Sequence, residues 1–230
     1  MKYDDKRAIL TAWSAEAGRV AIMIPDGGSR EARRRRAMLM PMSLFEGEVD
    51  MRPGREILSM RVMRPSAVLP DLSMHPEKSV VAMFLAEVLE RILREAAPDP
   101  VLTAYIFDAV AALDALPVGR AVANFTIIFL YRLGHFIGIT PDVESWRPGY
   151  VFDMQAGHFR ATPPVRGRWL PPDEAEFLVT LARLDFANAQ HVALPLELRR
   201  RALRAILDYY TIHHSSLVDL KSLPVVSEIF

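Results

Sequence analysis

Four apolar pairs constrain this chain more than any other feature. Val80/Val81, Phe84/Leu85, Val88/Leu89 and Ile92/Leu93 recur every four residues. That spacing draws one apolar stripe along a helix and leaves Glu87, Glu90, Arg91 and Arg94 on other faces. It predicts a helix over 77–96, ended by Pro98 and Pro100. A second helix is predicted over 101–116, up to Pro117. A third, over 119–137, is apolar on nearly every side, at Val122, Phe125, Ile127, Ile128, Phe129, Leu130 and Phe136. Such a helix belongs in the middle of a helical domain, and Gly138 is placed to cap it.

Before residue 76 the pattern is different. Residues 7–13, 18–24, 38–50 and 56–64 are β-capable and are separated by turn signals, among them Pro25-Asp26-Gly27-Gly28 and Arg52-Pro53-Gly54. Residues 29–36 read as a polar loop. Short strands joined by turns over this length suggest a small barrel or sandwich. Within the helical part, residues 150–161 break the helical period and predict a hairpin turning at Gln155-Ala156-Gly157. Pro171-Pro172-Asp173-Glu174 opens a helix to about Leu184, and a last helix spans about 195–213. The expected class is α+β, with a β-barrel in 1–75 and a helical domain with a small hairpin in 76–230.

The chain has no cysteine. That excludes disulfides, a thiol nucleophile and any cysteine zinc site. No apolar run is long enough for a membrane helix. The charged start lacks a signal-peptide core, so a cytoplasmic protein without membrane contact is expected. Gly27-Gly28 lacks the ending of a phosphate-cradling P-loop. His75, His135, His158 and His191 are scattered, and adjacent His213-His214 would point in different directions on a helix. The reading is no catalytic residue, no metal and no cofactor. Net charge is zero, but its distribution is uneven. Residues 1–76 carry 13 Lys/Arg against 10 Asp/Glu, residues 77–150 carry 6 against 9, and residues 151–230 carry 9 against 9.

The basic excess lies in the first segment, around Arg30 and the run Arg33-Arg34-Arg35-Arg36. Adjacent guanidiniums repel one another and are stabilised by an anion such as phosphate, which they bind bidentately. A solvated loop explains the run equally well on residues alone. Arg52, Arg55, Arg61 and Arg64 would extend such a patch. On the last helix, Arg200, Arg201 and Arg204 share the outer face with Asp208, as a second patch or as an ordinary charged face. Trp13 and Phe45 are candidate base-stacking platforms, and core packing is the commoner use of barrel aromatics.

Several segments, in order, resemble the RecO family over nearly the whole chain. Lys2-Tyr3-Asp4-Asp5 and Glu16-Ala17-Gly18-Arg19 resemble its opening K-Y-x-D and G-R-x strand, and Met40-Pro41-Met42-Ser43-Leu44 its Q-P-L-x-L segment. Met83–Leu89 resembles its first long helix. Ala123-Asn124-Phe125, Phe129-Leu130 and Leu133-Gly134, with Gly138 and Pro141, resemble the central helix and its exit. Val151-Phe152-Asp153-Met154 through Gly157-His158-Phe159 resembles the F-D-x-x-x-G-x-F hairpin. Leu220-Lys221-Ser222-Leu223 and Phe230 resemble the ending of Bacteroides-type members. There are two departures. Members usually carry a strand ahead of the K-Y-x-D segment, so a late start or a shortened barrel is expected. Some carry a cysteine zinc knuckle, which this chain lacks.

The resemblance implies an OB-fold-like barrel and a recombination mediator, nucleoid-associated and not an enzyme. It implies binding of single- and double-stranded DNA, strand annealing, and recombinase loading in the RecF pathway. It favours the DNA reading of the arginines. It also implies two protein partners, RecR and the C-terminal tail of the single-stranded DNA-binding protein. A pocket for that acidic tail needs apolar walls and a cation, and Phe125, Phe129 and Arg132 have that character. The neutral net charge keeps a second reading open, a protein–protein adaptor whose OB-fold module does not bind DNA.

Overall fold

The computed structural model describes residues 7–30, 32–33, 38–50, 54 and 56–229. The chain divides into two compact units, Met1–Asp114 and Ala115–Phe230. Helices and sheets segregate along the chain, so the class is α+β, as expected.

The first unit begins with β1 (Arg7–Ser14) and β2 (Gly18–Pro25), paired antiparallel from Arg7↔Pro25 to Ser14↔Gly18. Ser14 Oγ accepts the Ala17 N–H at 3.0 Å and closes the turn. Gly18 leaves the turn at φ +64°, and a Cβ there would stand 3.3 Å from the Pro98 nitrogen, so both backbone conformation and space call for glycine. β3 (Phe45–Asp50) pairs antiparallel with β4 (Ile57–Pro65), with a bulge at Glu48/Val49, and β4 runs parallel to β2. The sheet order is β1-β2-β4-β3.

This is a four-stranded open sheet where a barrel was expected. Closure requires the two outer strands to pair, and among the described residues β1 and β3 each pair on one side only. The buried face carries Ile22, Ile24 and Leu58. Met38 and Met40, expected in a strand, are in none. The turn at Gly54 is present, with φ +79°; Arg52 and Pro53 lie outside the described residues.

After the sheet come α1 (Pro70–Met74), α2 (Pro76–Ile92) and α3 (Pro100–Ala115). The predicted stripe on α2 is buried at Val81, Phe84, Leu85, Val88, Leu89 and Ile92. The helix stops at Leu93, ahead of the two prolines. The Trp13 indole N–H donates to Thr103 Oγ1 at 2.9 Å and ties β1 to α3. Lys78, in the first turn of α2, is wholly buried. Its ammonium donates to Asp71 Oδ2 at 3.2 Å and to the Asp114 carbonyl at 2.6 Å. The Asp114 carboxylate in turn accepts the Leu72 N–H at 2.7 Å. A buried cation held this way fixes α1, α2 and the end of α3 together.

The second unit is built around α4 (Arg120–Phe136), buried from Ala121 through Tyr131. Asn124 on α4 is fully buried, and its amide donates to the carbonyls of Ala189 and Val192, both at 2.9 Å. Then come β5 (Val151–Asp153), β6 (His158–Arg160), β7 (Trp169–Leu170), α5 (Pro172–Ala182), α6 (Leu196–His213) and α7 (Leu223–Val226). The expected hairpin is β5–β6, and β7 adds a third strand in the order β6-β5-β7. Its inner face packs by aromatic contact, with the Phe152 ring 4.9 Å from Phe159 and 5.4 Å from Tyr209. The Tyr210 hydroxyl donates to the Leu130 carbonyl and locks α6 to α4. No helix among the described residues is long and apolar enough to cross a membrane.

Candidate nucleic-acid interface

The first basic cluster follows β2. Residues 29–36 were expected to be a loop, but Arg30, Ala32 and Arg33 are helical. Ser29 starts the turn, accepting the Ala32 N–H on Oγ at 3.1 Å and the Arg33 N–H on its carbonyl at 3.0 Å. Ala32 is buried at 3 % exposure and anchors the turn, while Arg30 and Arg33 are exposed. Two side chains one helical turn apart share a face, so both guanidiniums are offered together. Arg34, Arg35, Arg36, Arg52 and Arg55 lie outside the described residues. On β4, Arg61 is exposed but paired with Asp50 at 3.4 Å, and Arg64 stands opposite Glu46 in the register.

The second cluster lies on α6, where Arg200, Arg201 and Arg204 are all exposed. Arg200 pairs with Glu197 at 3.3 Å. Arg201 reaches Asp173 at 3.1 Å and Glu174 at 3.4 Å in the first turn of α5. Arg204 has no ion-pair partner among the described residues. Arg199 is partly buried and donates to the Leu194 carbonyl at 2.8 Å. Burial, and then the repulsion of Arg120 and Arg200, holds its pKa below the ordinary arginine value. Cations are thus crowded at the start of α6, and Arg204 has the freest charge on that face.

The other candidates are placed differently. Phe125 and Phe129 have no exposed surface, and Phe125 stacks on Phe186 with ring centroids 4.9 Å apart. Arg132 donates twice to the Leu184 carbonyl, at 2.8 and 2.6 Å. Phe125 and Arg132 thus tie α4 to the segment after α5, and the buried rings of Phe125 and Phe129 offer no wall to a partner in this arrangement. Trp13 is partly buried with its N–H engaged by Thr103, so it is a packing residue; Phe45 is partly buried. His213 contacts the Met154 carbonyl at 2.8 Å and His214 the Ser216 hydroxyl at 2.7 Å, so the two histidines serve different local contacts. Among the described residues no three His, Asp or Glu side chains gather as a metal site would require. The cavity between Tyr131, Phe152, Ile206 and Tyr209 holds about 10 Å³, room for one water at most.

Exposed aromatics that escaped the sequence reading include Phe107, on α3, and Trp169. Trp169, on β7, is 41 % exposed. Its neighbours Arg166 and Arg168 are exposed as well. An arginine–tryptophan cluster in a Pro/Gly-rich stretch was the available signal, but β7 is two residues long and gives no periodicity to read.

Known proteins match this chain along its length. A family model described as Recombination protein O C terminal matches residues 75–224. A Phocaeicola vulgatus protein named DNA repair protein RecO is 32 % identical over 230 residues, covering 100 % of this chain and 95 % of that protein. A Bacteroides fragilis protein of the same name is 30 % identical over 231 residues, with the same coverage. One from Porphyromonas gingivalis is 28 % identical over 233 residues, covering 99 % of this chain and 94 % of its own. With a family model over most of the chain and relatives aligned from end to end, the protein belongs to the RecO family of DNA repair proteins.

Proposed function

We propose that this protein is a recombination mediator of the RecF pathway that handles DNA strands without bond-making chemistry of its own. The observation that carries the reading is the end-to-end likeness to relatives named as DNA repair proteins. The exposed pair Arg30/Arg33 and the α6 arginines support it. Residues 1–75 form the main DNA-binding part, through Arg30, Arg33 to Arg36, Arg52 and Arg55. Residues 76–230 add Arg200, Arg201 and Arg204 and the surfaces for RecR and the tail of the single-stranded DNA-binding protein. Strands are held by their phosphates, annealed, and passed to the recombinase on DNA coated by that protein, in the cytoplasm at the nucleoid.

Phosphate contact releases counterions, so affinity falls steeply with salt. Fluorescence anisotropy of labelled single and double strands across a salt titration tests this. Salt-sensitive binding by the wild type, weakened and with a shallower slope when Arg33–Arg36 are replaced by alanine, is the expected result. A folded protein that binds neither strand at low salt is instead the protein–protein adaptor.

A further inference from the structure

The three-stranded sheet buries its middle strand, Val151–Asp153, on both faces, and its exposed side chains stand on the flanking strands, at His158 and Trp169. Phe152, Phe159 and Leu170 lie in one row across it and are buried. The adjacent row, by strand alternation, is His158, Asp153 and Trp169, paired across the three strands as Asp153↔His158 and Asp153↔Trp169. His158 and Trp169 in this row are exposed. A tryptophan with two-fifths of its surface in water is uncommon in a packed fold, because its ring contributes large apolar area when covered.

The segment that carries Trp169 is basic in sequence. From Met154 to Pro172 the chain carries Arg160, Arg166, Arg168 and His158 and no acid. Three acids meet this segment: Asp142 bridges to His158 along the edge of the sheet, and two others each hold an arginine. Asp153 accepts from Arg160 at 3.2 Å, and Asp208 pairs with Arg168. Both pairings fix their arginines beside the sheet and neutralise them. Arg166 has no ion-pair partner among the described residues and is exposed. Val165 next to it is fully exposed, and the segment from Ala161 to Trp169 is open almost throughout.

A flat exposed indole three residues from an exposed guanidinium without an ion-pair partner matches one occupant well, a strand with an unpaired base and its phosphate. Every base has a π-face to stack, and the backbone supplies the anion. A duplex hides its base faces and cannot use the indole in this way. We propose that the exposed β7 end of the three-stranded sheet is a single-strand site, where Trp169 stacks an unpaired base and Arg166 holds a flanking phosphate. The proposal rests on the DNA-handling reading above and adds to it a site that tells single from double strands.

The experiment is anisotropy with a mixed-sequence single strand and a duplex of equal length, on the full chain. Trp169→Ala is expected to weaken single-strand binding about tenfold, the loss of one stacked base, and to leave duplex binding unchanged. Trp169→Phe keeps a ring and retains most of the affinity. Arg166→Ala is expected to lower the single-strand salt slope by about 0.7, one phosphate contact. The site is refuted if Trp169→Ala binds the single strand as the wild type does, or loses both DNA forms equally. Loss of a protein partner alone in that variant also overturns it and makes this end of the sheet a protein-docking surface. Failure of the wild type to bind either form is a different result, because it removes the DNA reading itself.

Discussion

Asp153 sits almost wholly buried at the turn between β5 and β6, where three donors converge on it. Its Oδ1 accepts the N–H groups of Gln155 and Ala156, both at 3.1 Å, and Arg160 donates to Oδ2 at 3.2 Å. Burial pushes the carboxyl pKa up, but these hydrogen bonds outweigh it and hold it below the usual value. A lowered folded value means that the charged form stabilises the fold above the unfolded pKa of about 3.9. That contribution is lost as pH falls through the folded value. Asp153→Asn is therefore expected to cost about 1–2 kcal/mol at neutral pH, and to flatten the acid limb of stability below about pH 4. Urea midpoints at pH 7 and pH 3 check it; an equal cost at both would remove the charge from the account. The aspartate was legible in the sequence as part of a hairpin motif, but its burial was not. Whether a turn residue is buried depends on what closes over it, here the Arg160 side chain and the turn backbone at Gln155 and Ala156.

The sequence reading did best on elements with a sustained period. The α2 stripe and the apolar faces of α4 were legible because burial repeats along the helix. It did worst where charge hid propensity. Arginine and alanine are strong helix formers, so Ser29 followed by Arg30, Ala32 and Arg33 makes a capped turn despite the repulsion. At Gly157 the hairpin is over-determined, with φ +71° and a position where a Cβ would stand 2.9 Å from the Tyr209 hydroxyl. Gly157→Ala is expected to lower stability by about 1–3 kcal/mol, read as a shift in thermal midpoint. On α6, the arginines are ranked by prior commitment. Arg201 must leave two carboxylates to meet a phosphate, whereas Arg204 leaves none. Arg204→Ala is expected to weaken duplex binding more than Arg201→Ala does, and the reverse order would move the contact toward α5.

At the scale of the whole chain, 28 basic and 28 acidic residues cancel. A neutral molecule exerts little attraction on DNA beyond a Debye length, about 8 Å at physiological salt. Its arginines act only on arrival. Stopped-flow binding is therefore expected to place most of the salt dependence in dissociation, with association changing little. An association rate that falls as steeply as the affinity would point to long-range steering. The change from strands to helices after β4 was visible in the sequence, as was the β5–β6 hairpin; the parallel pairing of β4 with β2 was not, because non-local partners leave no mark on local pattern. The buried ammonium of α2 has a practical consequence. The chain has few lysines, at positions 2, 6, 78 and 221. Reagents that acylate amines need an exposed, deprotonated nitrogen, and Lys78 is sealed behind Asp71 and the Asp114 carbonyl. In a tryptic mass map, acylation at Lys78 would therefore mark only molecules whose first unit has opened, so the protein carries its own chemical clock for that opening.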